Sequence, residues 1–393
     1  MIEKTLAELT LNITDGKHGD CRGKDDSGFY FISCKDVRDG QIHYEDARQI
    51  IEEDFWDTHK RTRLEPDDIL VTNSGTIGRM AFIRDVPLTY RTTFQKSVAI
   101  VKPDKSKILP KYLYYQLQNC VDGFVNQSNG AAQKNLLLST MRAFKMHIHE
   151  DEDMQMRIAS TLSAYDDLIE NNQKQIKLLE EAAQRLYKEW FVDLRFPGHE
   201  TTLITDGIPE GWELQTLSQI ADVVMGQSPK SEFYNQNQQG LPFHQGVGSY
   251  GTRFVIDTTY STSFTRIAEA GSVLFSVRAP VGRLNMTKNK VIIGRGLAAF
   301  NHRSGMQSYL FYLLKERFFK DDIIGNGAIF ASISKDELLG QKFVVPTDAL
   351  VKRFNVIAND IDKKIAGLAD QIALLTEARD RLLPKLMSGE IEV

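Results

Sequence analysis

Two stretches of the chain place apolar residues at alternating steps of four and three, the heptad pattern of helices that pack along a seam. In the first, the seam positions are Ile158, Leu162, Tyr165, Ile169, Asn172, Ile176, Leu179, Ala183, Leu186 and Trp190. In the second, 196 residues later, they are Phe354, Ala358, Ile361, Ile365, Leu368, Ile372, Leu375, Arg379, Leu382 and Leu386. The pattern predicts two long helices whose seams pack on each other. Asn172 is either a register-setting polar residue or a tolerated defect.

The repeat extends into the segments that precede the two helices. Residues 68–80 align with 272–284 at an offset of 204, and residues 129–131 align with 326–328 at an offset of 197. The offset varies in these segments and stays constant in the helices. This pattern is typical of modules that have diverged while the helices between them kept their length. The chain is therefore a module and a helical arm, repeated once.

Short β-branched and aromatic runs bounded by Gly, Asp or Asn predict strands in each module. The first module has predicted strands at 29–33, 69–72, 80–83, 97–101 and 145–149 and a helix at 111–118. The second has predicted strands at 272–275, 283–286, 297–300 and 341–345 and a helix at 308–318. Pro384 predicts that the second arm ends or kinks near Leu383.

The predicted class is α+β, with two mixed globular domains joined by two long antiparallel coiled-coil helices related by pseudo-two-fold symmetry. The helices must be antiparallel because the second module begins where the first arm ends. The predicted boundaries are 1–150 for the first module, 151–196 for the central arm, 197–346 for the second module and 347–393 for the C-terminal arm. The first seam spans roughly 48 Å, or about 14 base pairs of duplex.

The net charge of −4 is not that of a typical nucleic-acid binder, but the charge is unevenly distributed. Residues 211–346 hold 14 basic and 10 acidic side chains, whereas residues 151–200 hold 6 basic and 11 acidic ones. From Ala270 to Lys315 there are seven Lys or Arg and no Asp or Glu. This stretch is either a phosphate-binding surface or a chance gap in a strand-rich region.

Residue patterns argue against several other classes of protein. No apolar run is long enough to span a membrane, and the start of the chain lacks a secretion signal. Three cysteines and eight histidines show no metal spacing, which predicts a cytoplasmic protein without a metal site. The Gly-x-x-x-x-Gly-Lys phosphate loop and the Asn-Pro-Pro-aromatic signature of adenine methyltransferases are both missing. Asp362-x-Lys364 is only a fragment of a nuclease pattern, and it falls on an arm.

Local signatures at the ends of the arms are more specific. Trp190-Phe191-Val192-Asp193 with Phe196-Pro197-Gly198 follows the first arm, and Leu383-Pro384-Lys385-Leu386-Met387-Ser388-Gly389-Glu390-Ile391 closes the chain. Gly211-Trp212 and then Met225-Gly226-Gln227-Ser228-Pro229 open the second module. With the order of module, arm, module, arm, the chain resembles the specificity (S) subunits of type I restriction-modification systems over nearly its full length.

That resemblance implies a non-catalytic subunit in which each module is a target recognition domain that reads one half of a split site in double-stranded DNA. It further implies that the arms set the spacing and bind two methyltransferase (M) subunits. Those subunits carry S-adenosylmethionine, so no cofactor is expected in this chain. Motor-nuclease (R) subunits would join through the complex, and no membrane is involved.

Side chains that suit base or phosphate contacts are the candidate DNA-binding residues, since Arg and Lys pair with guanine or phosphate and Asn and Gln with adenine. They are Lys17, His18, Thr76, Arg79, Arg91, Lys96, Gln133 and Lys134 in the first module and Gln227, Ser228, Lys230, Gln245, Arg278, Arg283 and Arg295 in the second. For each one the alternative is a solvated surface side chain. Arg79 and Arg283 share a repeat position, which favours a common backbone or structural role. Arg278 has Ser74 as its counterpart and is a better candidate for a module-specific contact.

Two rival functions remain open at this point. A coiled-coil scaffold with two protein-binding modules would not bind duplex DNA in a salt-dependent manner. A stand-alone nuclease or methyltransferase would turn over substrate by itself with a metal or S-adenosylmethionine.

Overall fold

The computed structural model describes residues 1–130, 134–318 and 332–393, and these fall into two compact units. Unit 1 comprises Met1–Ile169 and Ala373–Val393, and unit 2 comprises Glu170–Ile372. Each unit contains one globular domain and a part of each long helix. The predicted α+β class with two repeated domains and long paired helices is confirmed. The aligned triplets at 129–131 and 326–328 fall partly or wholly outside the described residues.

The helices that the structure describes include two of about 40 residues that carry the predicted seams. In chain order the α-helices are α1 (Glu52–Thr62), α2 (Pro110–Asn119), α3 (Val121–Asn126), α4 (Leu138–Ala143), α5 (Glu152–Phe191), α6 (Leu217–Ile220), α7 (Gln307–Phe318), α8 (Lys335–Leu339) and α9 (Asp348–Ser388). All seam positions of α5 and α9 are buried or half-buried. Glu152 and Asp153 lie in the first turn of α5, where negative charge interacts favourably with the helix dipole and stabilises the helix.

The two long helices run antiparallel within each unit. In unit 1, Leu386 of α9 packs in the same cluster as Ile158 of α5. In unit 2, Asn172 donates a hydrogen bond from Nδ2 to Oε1 of Gln371 at 3.2 Å, and the Trp190 ring lies 6.0 Å from that of Phe354. Residue numbers thus rise along α5 as they fall along α9. The buried Asn172 has a partner across the seam, which supports the register-setting role.

Pro384 does not end α9. Of the two outcomes predicted for Pro384, an end near Leu383 is wrong, because α9 continues to Ser388. A kink at this position stays a prediction. Proline removes one backbone donor, but the last turn is held by packing instead. Leu386 and Met387 are buried in the core of unit 1, and Leu382 and Leu383 pack against it.

Unit 1 is built on a four-stranded antiparallel sheet in the order β2-β10-β7-β8. Its strands are β1 (Ile2–Thr5), β2 (Thr10–Asp15), β3 (Tyr30–Ile32), β4 (Val37–Arg38), β5 (Gln41–Ile42), β6 (Arg48–Gln49), β7 (Ile69–Thr72), β8 (Met80–Phe82), β9 (Thr92–Phe94), β10 (Val98–Pro103) and β11 (Lys145–Ile148). A second sheet, β6-β3-β9, contains the parallel pair β3 and β9, and β1 pairs with β11.

Unit 2 repeats this plan. Its strands are β12 (Ile204–Thr205), β13 (Ile208–Pro209), β14 (Glu213–Thr216), β15 (Ala221–Met225), β16 (Tyr234–Asn235), β17 (Leu241–His244), β18 (Tyr260–Ser261), β19 (Ile267–Ala268), β20 (Val273–Ser276), β21 (Leu284–Met286), β22 (Val291–Ile293), β23 (Leu297–His302) and β24 (Lys342–Val345). The sheet β15-β23-β20-β21 corresponds to β2-β10-β7-β8, the parallel pair β17 and β22 to β3 and β9, and β14-β24 to β1-β11.

Each unit has its main core between the four-stranded sheet, its helices and the long helices. Tyr112 and Tyr115 of α2 are fully buried in unit 1, and Tyr309 and Tyr312 of α7 are fully buried in unit 2. Every predicted strand and helix of the modules overlaps an observed one, with ends that differ by at most two residues. The parallel pairs were not predicted, since they join strands about 50 residues or more apart.

Candidate nucleic-acid interface

An open cleft of about 670 Å³ lies on the second domain. Its lining residues are Ser228, Pro229, Lys230, Ser231, Glu232, Tyr234, Gln245, Arg278 and Arg295. Three of these are cations, and within the described lining Glu232, 3.8 Å from Lys230, is the single carboxylate. Four separate segments of chain thus bring five of the predicted DNA-binding residues to one polar, mainly cationic cleft. Such a surface can neutralise phosphate and donate hydrogen bonds to base edges.

A close crossing of two chain segments forms one wall of this cleft. The Gln227 N–H donates to the carbonyl of Ile293 at 2.9 Å. A Cβ atom on Gly226 would lie 2.1 Å from the carbonyl oxygen of Gly294, so only glycine permits the approach. The crossing brings Ser228 alongside the residue that follows Gly294.

Hydrogen bonds fix the polar groups at the centre of the cleft. The Ser228 hydroxyl donates to Oε1 of Gln245 at 2.7 Å and accepts from the Arg295 backbone N–H at 3.2 Å. The backbone N–H of Gly296 donates to the Gln245 carbonyl at 3.2 Å. The Gln245 amide oxygen is therefore engaged within the protein, whereas the exposed guanidinium of Arg295 can contact a ligand.

Arg278 lies in a turn that both domains share. The Ser276 hydroxyl accepts from the Arg283 backbone N–H at 2.8 Å, and the Thr72 hydroxyl accepts from the Arg79 backbone N–H at 2.9 Å. Each hydroxyl also donates to the carbonyl four residues further on. Arg79 and Arg283 therefore close the same turn through their main chains, and the role of their side chains stays a prediction. Arg278 lies in the loop between the two anchoring groups.

The first domain has the same close crossing of two backbone segments, which we call the frame. The Lys17 N–H donates to the Phe94 carbonyl at 2.8 Å, and a Cβ on Gly16 would lie 2.0 Å from that oxygen. Lys17 thus corresponds to Gln227 of the second domain. Lys96 follows Phe94 by two residues, as Arg295 follows Ile293, and it is also an exposed cation.

The position of Arg278 is filled by Ser74 in the first domain. Ser74 forms an isolated bridge with Asn135, and Arg278 forms one with Ser332. The Gly75 N–H donates to the Lys134 carbonyl at 3.2 Å, so exposed Lys134 lies beside this loop. Thr76, in the same loop, is also exposed.

Two first-domain candidates already have partners. Lys17 Nζ lies 3.3 Å from Oδ2 of Asp57, and His18 Nε2 lies 3.0 Å from Oδ2 of Asp15. The first domain is thus less cationic at this frame than the second.

The remaining first-domain candidates are more dispersed. Arg91 lies at the opposite end of β9 from Lys96, with its Cζ 5.9 Å from the ring centroid of Phe29. Gln133 lies outside the described residues. The DNA contacts of both domains stay predictions.

Arg253 forms a buried ion cluster in unit 2 that sequence reasoning missed. Its Nη2 lies 2.5 Å from Oδ1 of Asp362 on α9, and its Nη1 lies 3.8 Å from Oε1 of Glu180 on α5. Its Cζ lies 3.3 Å from the ring centroid of Phe311, and the residue is only 2% exposed. Burial raises the pKa of Glu180. The cluster ties the loop after Gln245 to both long helices, but Arg253 lies in a segment without periodicity and gives no local signal.

Unit 1 has a related cluster around the counterpart of Asp362. Arg379 donates from Nη1 to Oδ1 of Asp166 at 2.7 Å, and the Tyr115 hydroxyl donates to its Oδ2 at 2.6 Å. Burial and this carboxylate raise the pKa of Tyr115. In unit 2 the Tyr312 hydroxyl donates to Asp362 at 3.4 Å. The positive charge of the seam residue Arg379 is thus paired with Asp166, as Arg253 is paired with Asp362 in unit 2.

The described residues were also searched for groups of metal ligands and for membrane-spanning helices. Among the residues it describes, no group of three or more His, Cys, Asp or Glu side chains is placed to hold a metal ion. In the same ranges, each helix falls short of the length or hydropathy that a bilayer crossing requires.

Comparison with known proteins identifies the family. The model of the type I restriction modification DNA specificity domain matches the chain twice, over residues 22–181 and 209–366. These matches cover well over half of the sequence and reproduce its repeat. The chain belongs to this family.

Relatives and a solved structure agree with this assignment. A Methanocaldococcus jannaschii protein provisionally named the MjaX specificity subunit of a type I restriction enzyme is 28% identical, covering 99% of this chain and 92% of its own. The MjaIX specificity subunit of the same organism is 26% identical over 83% of this chain and 78% of its own. The crystal structure of the S subunit of a type I restriction-modification system from M. genitalium has the same fold, with a TM-score of 0.57, 16% identity, and coverage of 98% and 96%.

The chain is thus a type I restriction-modification specificity subunit with two repeated DNA-recognition domains, as the sequence resemblance predicted. Subunits of this kind recognise DNA and do not catalyse its modification or cleavage, so the prediction of a non-catalytic chain is confirmed.

Proposed function

We propose that each domain reads one half of a bipartite site in double-stranded DNA and that the long helices set the gap between the halves. The observation that carries this proposal is the frame common to both domains, with Gly16 and Lys17 matching Gly226 and Gln227. The same main-chain geometry holds different side chains in each domain. One backbone frame with two sets of side chains suits two readers of unlike sequences.

A footprint tests the bipartite site. The chain, assembled with its methyltransferase subunits, should protect two blocks of a duplex that carries the target and leave a weakly protected gap. One continuous block would contradict the proposal. Binding that weakens steeply with salt would exclude the protein-only scaffold.

Insertions into the helices test whether they act as a spacer. Lys174 and Asp370 are related by the repeat offset of 196 and also lie near each other across the antiparallel seam, since Asn172 contacts Gln371. Seven extra residues after each would preserve the heptad pattern and lengthen the pair by about 10 Å, equivalent to up to about three base pairs.

The gap should widen while both half-site sequences stay the same. The same seven residues inserted into the exposed turn between β12 and β13 should leave the gap unchanged, which controls for the insertion itself. A gap of constant length in the helix variant would refute the spacer role.

The helices are also proposed to bind two methyltransferase subunits. Leu178 and Leu374 are separated by 196 residues and are 64% and 66% exposed. Matched apolar side chains on repeated helices suit two copies of one partner. Leu178→Glu and Leu374→Glu should each reduce the number of bound copies from two to one. Leu168→Glu, an exposed leucine whose repeat counterpart is Lys364, is the control, and equal loss in that variant would contradict these anchors.

The cofactor and further partners follow from this assignment. S-adenosylmethionine would be bound by the methyltransferase subunits, and motor-nuclease subunits would join through them. The complex would act on DNA in the cytoplasm. Mass measurement of the assembled complex tests its composition.

A further inference from the structure

The equivalent frames of the two domains separate shared positions from variable ones. Lys96 and Arg295 occupy one equivalent position, and both are exposed cations. A charge retained at the same place in two readers of different sequences suits a contact that all DNA offers, which is the phosphate backbone. Ser74 and Arg278 occupy another equivalent position, and their chemistry differs completely. A position that differs between the domains suits a contact with a base.

The hydrogen bonds of the cleft limit which base its centre can read. Gln245 Oε1 accepts from Ser228, whose own oxygen accepts from the Arg295 N–H. Ser228 therefore takes one of the two lone pairs of the Gln245 amide oxygen, whereas the amide NH2 group offers two donors. Bidentate recognition of adenine by glutamine needs that same oxygen as well as a donor, and the bond from Ser228 competes for it. Donors alone match guanine, which offers two acceptors, N7 and O6, in the major groove.

Arg278 has the side chain that best uses those two acceptors. Its guanidinium presents donors in a planar fork that matches N7 and O6 of guanine. The side chain is exposed and lines the cleft, and no carboxylate of the described residues lies within ion-pair distance of it. Glu232, which also lines the cleft, forms its ion pair with Lys230 and not with Arg278.

We propose that Arg278 reads a guanine in the half-site of the second domain, whereas Arg295 and Lys96 bind phosphate in equivalent places in the two halves. This inference rests on the proposed bipartite function. It makes Arg278 a specificity-determining residue and gives the two cations a sequence-independent role. The first domain, with serine at the position of Arg278, lacks this guanine contact.

The methylation pattern of a host genome tests the assignment with the complete system. Wild type, Arg278→Ala, Arg295→Ala and Lys96→Ala are each expressed with the methyltransferase and motor subunits, and methylated adenines are mapped by sequencing. Arg303→Ala is the matched control, because Arg303 is an exposed arginine of the same domain that pairs with Asp222 and does not line the cleft. Circular dichroism confirms that each variant folds.

Arg278→Ala should relax one G·C position in one half-site and leave the other half unchanged, with discrimination at that position falling about 5- to 150-fold. Arg295→Ala and Lys96→Ala should lower methylation at all sites without changing the motif, and binding of each purified complex to its target should lose about one unit of salt slope.

Three results would overturn the inference: an unchanged motif in Arg278→Ala, relaxation at an A·T position, or relaxation in Arg295→Ala instead. A wild-type motif that is not split would instead sink the proposed function, so the two failures are distinguishable.

Discussion

Removing the cation of the buried cluster in unit 2 should destabilise that unit strongly. Arg253→Met keeps most of the apolar volume and removes the charge. Asp362 and Glu180 then remain as two carboxylates without their cation, and Phe311 loses the guanidinium that lies 3.3 Å from its ring centroid. The loop that carries Arg253 also loses its anchor to α5 and α9.

The magnitude follows from the burial of the pair. Two unit charges about 4 Å apart attract by about 4 kcal/mol at an effective dielectric constant of about 20. Breaking one partner of a buried pair typically costs about 3–5 kcal/mol, because the remaining charge is left uncompensated. Arg253 is 2% and Asp362 is 8% exposed, so solvent screens this pair little. We expect a loss of about 3–5 kcal/mol in the free energy of unfolding of unit 2.

Urea unfolding followed by tryptophan fluorescence measures this loss. Trp190 and Trp212 are both buried in the main core of unit 2, whereas Trp56 of unit 1 is half exposed. The fluorescence transition therefore reports mainly on unit 2. Arg379→Met is the matched control, because it removes a cation from the corresponding cluster of unit 1, where both partners are more exposed. It should shift this transition much less.

A double variant separates charge from packing. Replacing Asp362 by Leu in the Arg253→Met background removes the stranded charge and should recover much of the lost stability, since apolar replacement of a buried pair is often neutral or favourable. A single-variant loss below about 1 kcal/mol, or losses that simply add in the double variant, would refute the reasoning.

Three further predictions concern other parts of the chain. Burial raises the pKa of Asp68 to about 6, above its value in the unfolded chain, although Lys102 Nζ lies 2.7 Å from its Oδ2. The stability that Asp68 contributes below about pH 4 should therefore be lost as pH rises through 6, and Asp68→Asn should flatten that slope in pH-dependent unfolding. Gly226→Ala should cost at least about 1–3 kcal/mol in thermal unfolding because of its backbone clash, whereas Gly246→Ala, in extended backbone with open space around it, should cost little. Replacing Asn172 and Gln371 together by Leu should raise the melting temperature but permit shifted seam registers, detectable by cross-linking of introduced cysteines; a single register would argue against the specificity role of Asn172.

The long helices could be predicted closely because their signal is local and repeated. Alternating steps of four and three place Ile158, Leu162 and their successors on one face whatever the rest of the chain does. For α9, the alternative of an end near Leu383 was wrong. Pro384 carries a strong local stop signal, and the burial of Leu386 and Met387 in a core that the helix sequence does not reveal overrides it.

The sequence could predict which types of side chain form the candidate site, but not how those side chains are arranged or bonded to each other. The mismatch of Arg278 with Ser74 singled out a module-specific position from the repeat alone. That Ser228 supports both Gln245 and Arg295 could not be read from the sequence, since 17 and 67 residues separate the bonded groups. The residues around Arg253 contain no periodicity or motif that would predict its burial or its ion-pair partners.

The amino-acid sequence by itself determined that the chain is a repeated pair of domain and helix, that the helices share an apolar seam, and that the second domain is the more cationic. Periodicity, repeat offset and charge count are properties of the linear order of residues, so folding does not alter them. The tertiary structure alone decided which cations share a cleft, which polar atoms are engaged within it, and that Arg253 anchors its loop to α5 and α9. Those facts depend on contacts between distant segments, where hydrogen-bond geometry and burial, rather than residue type, select the partners.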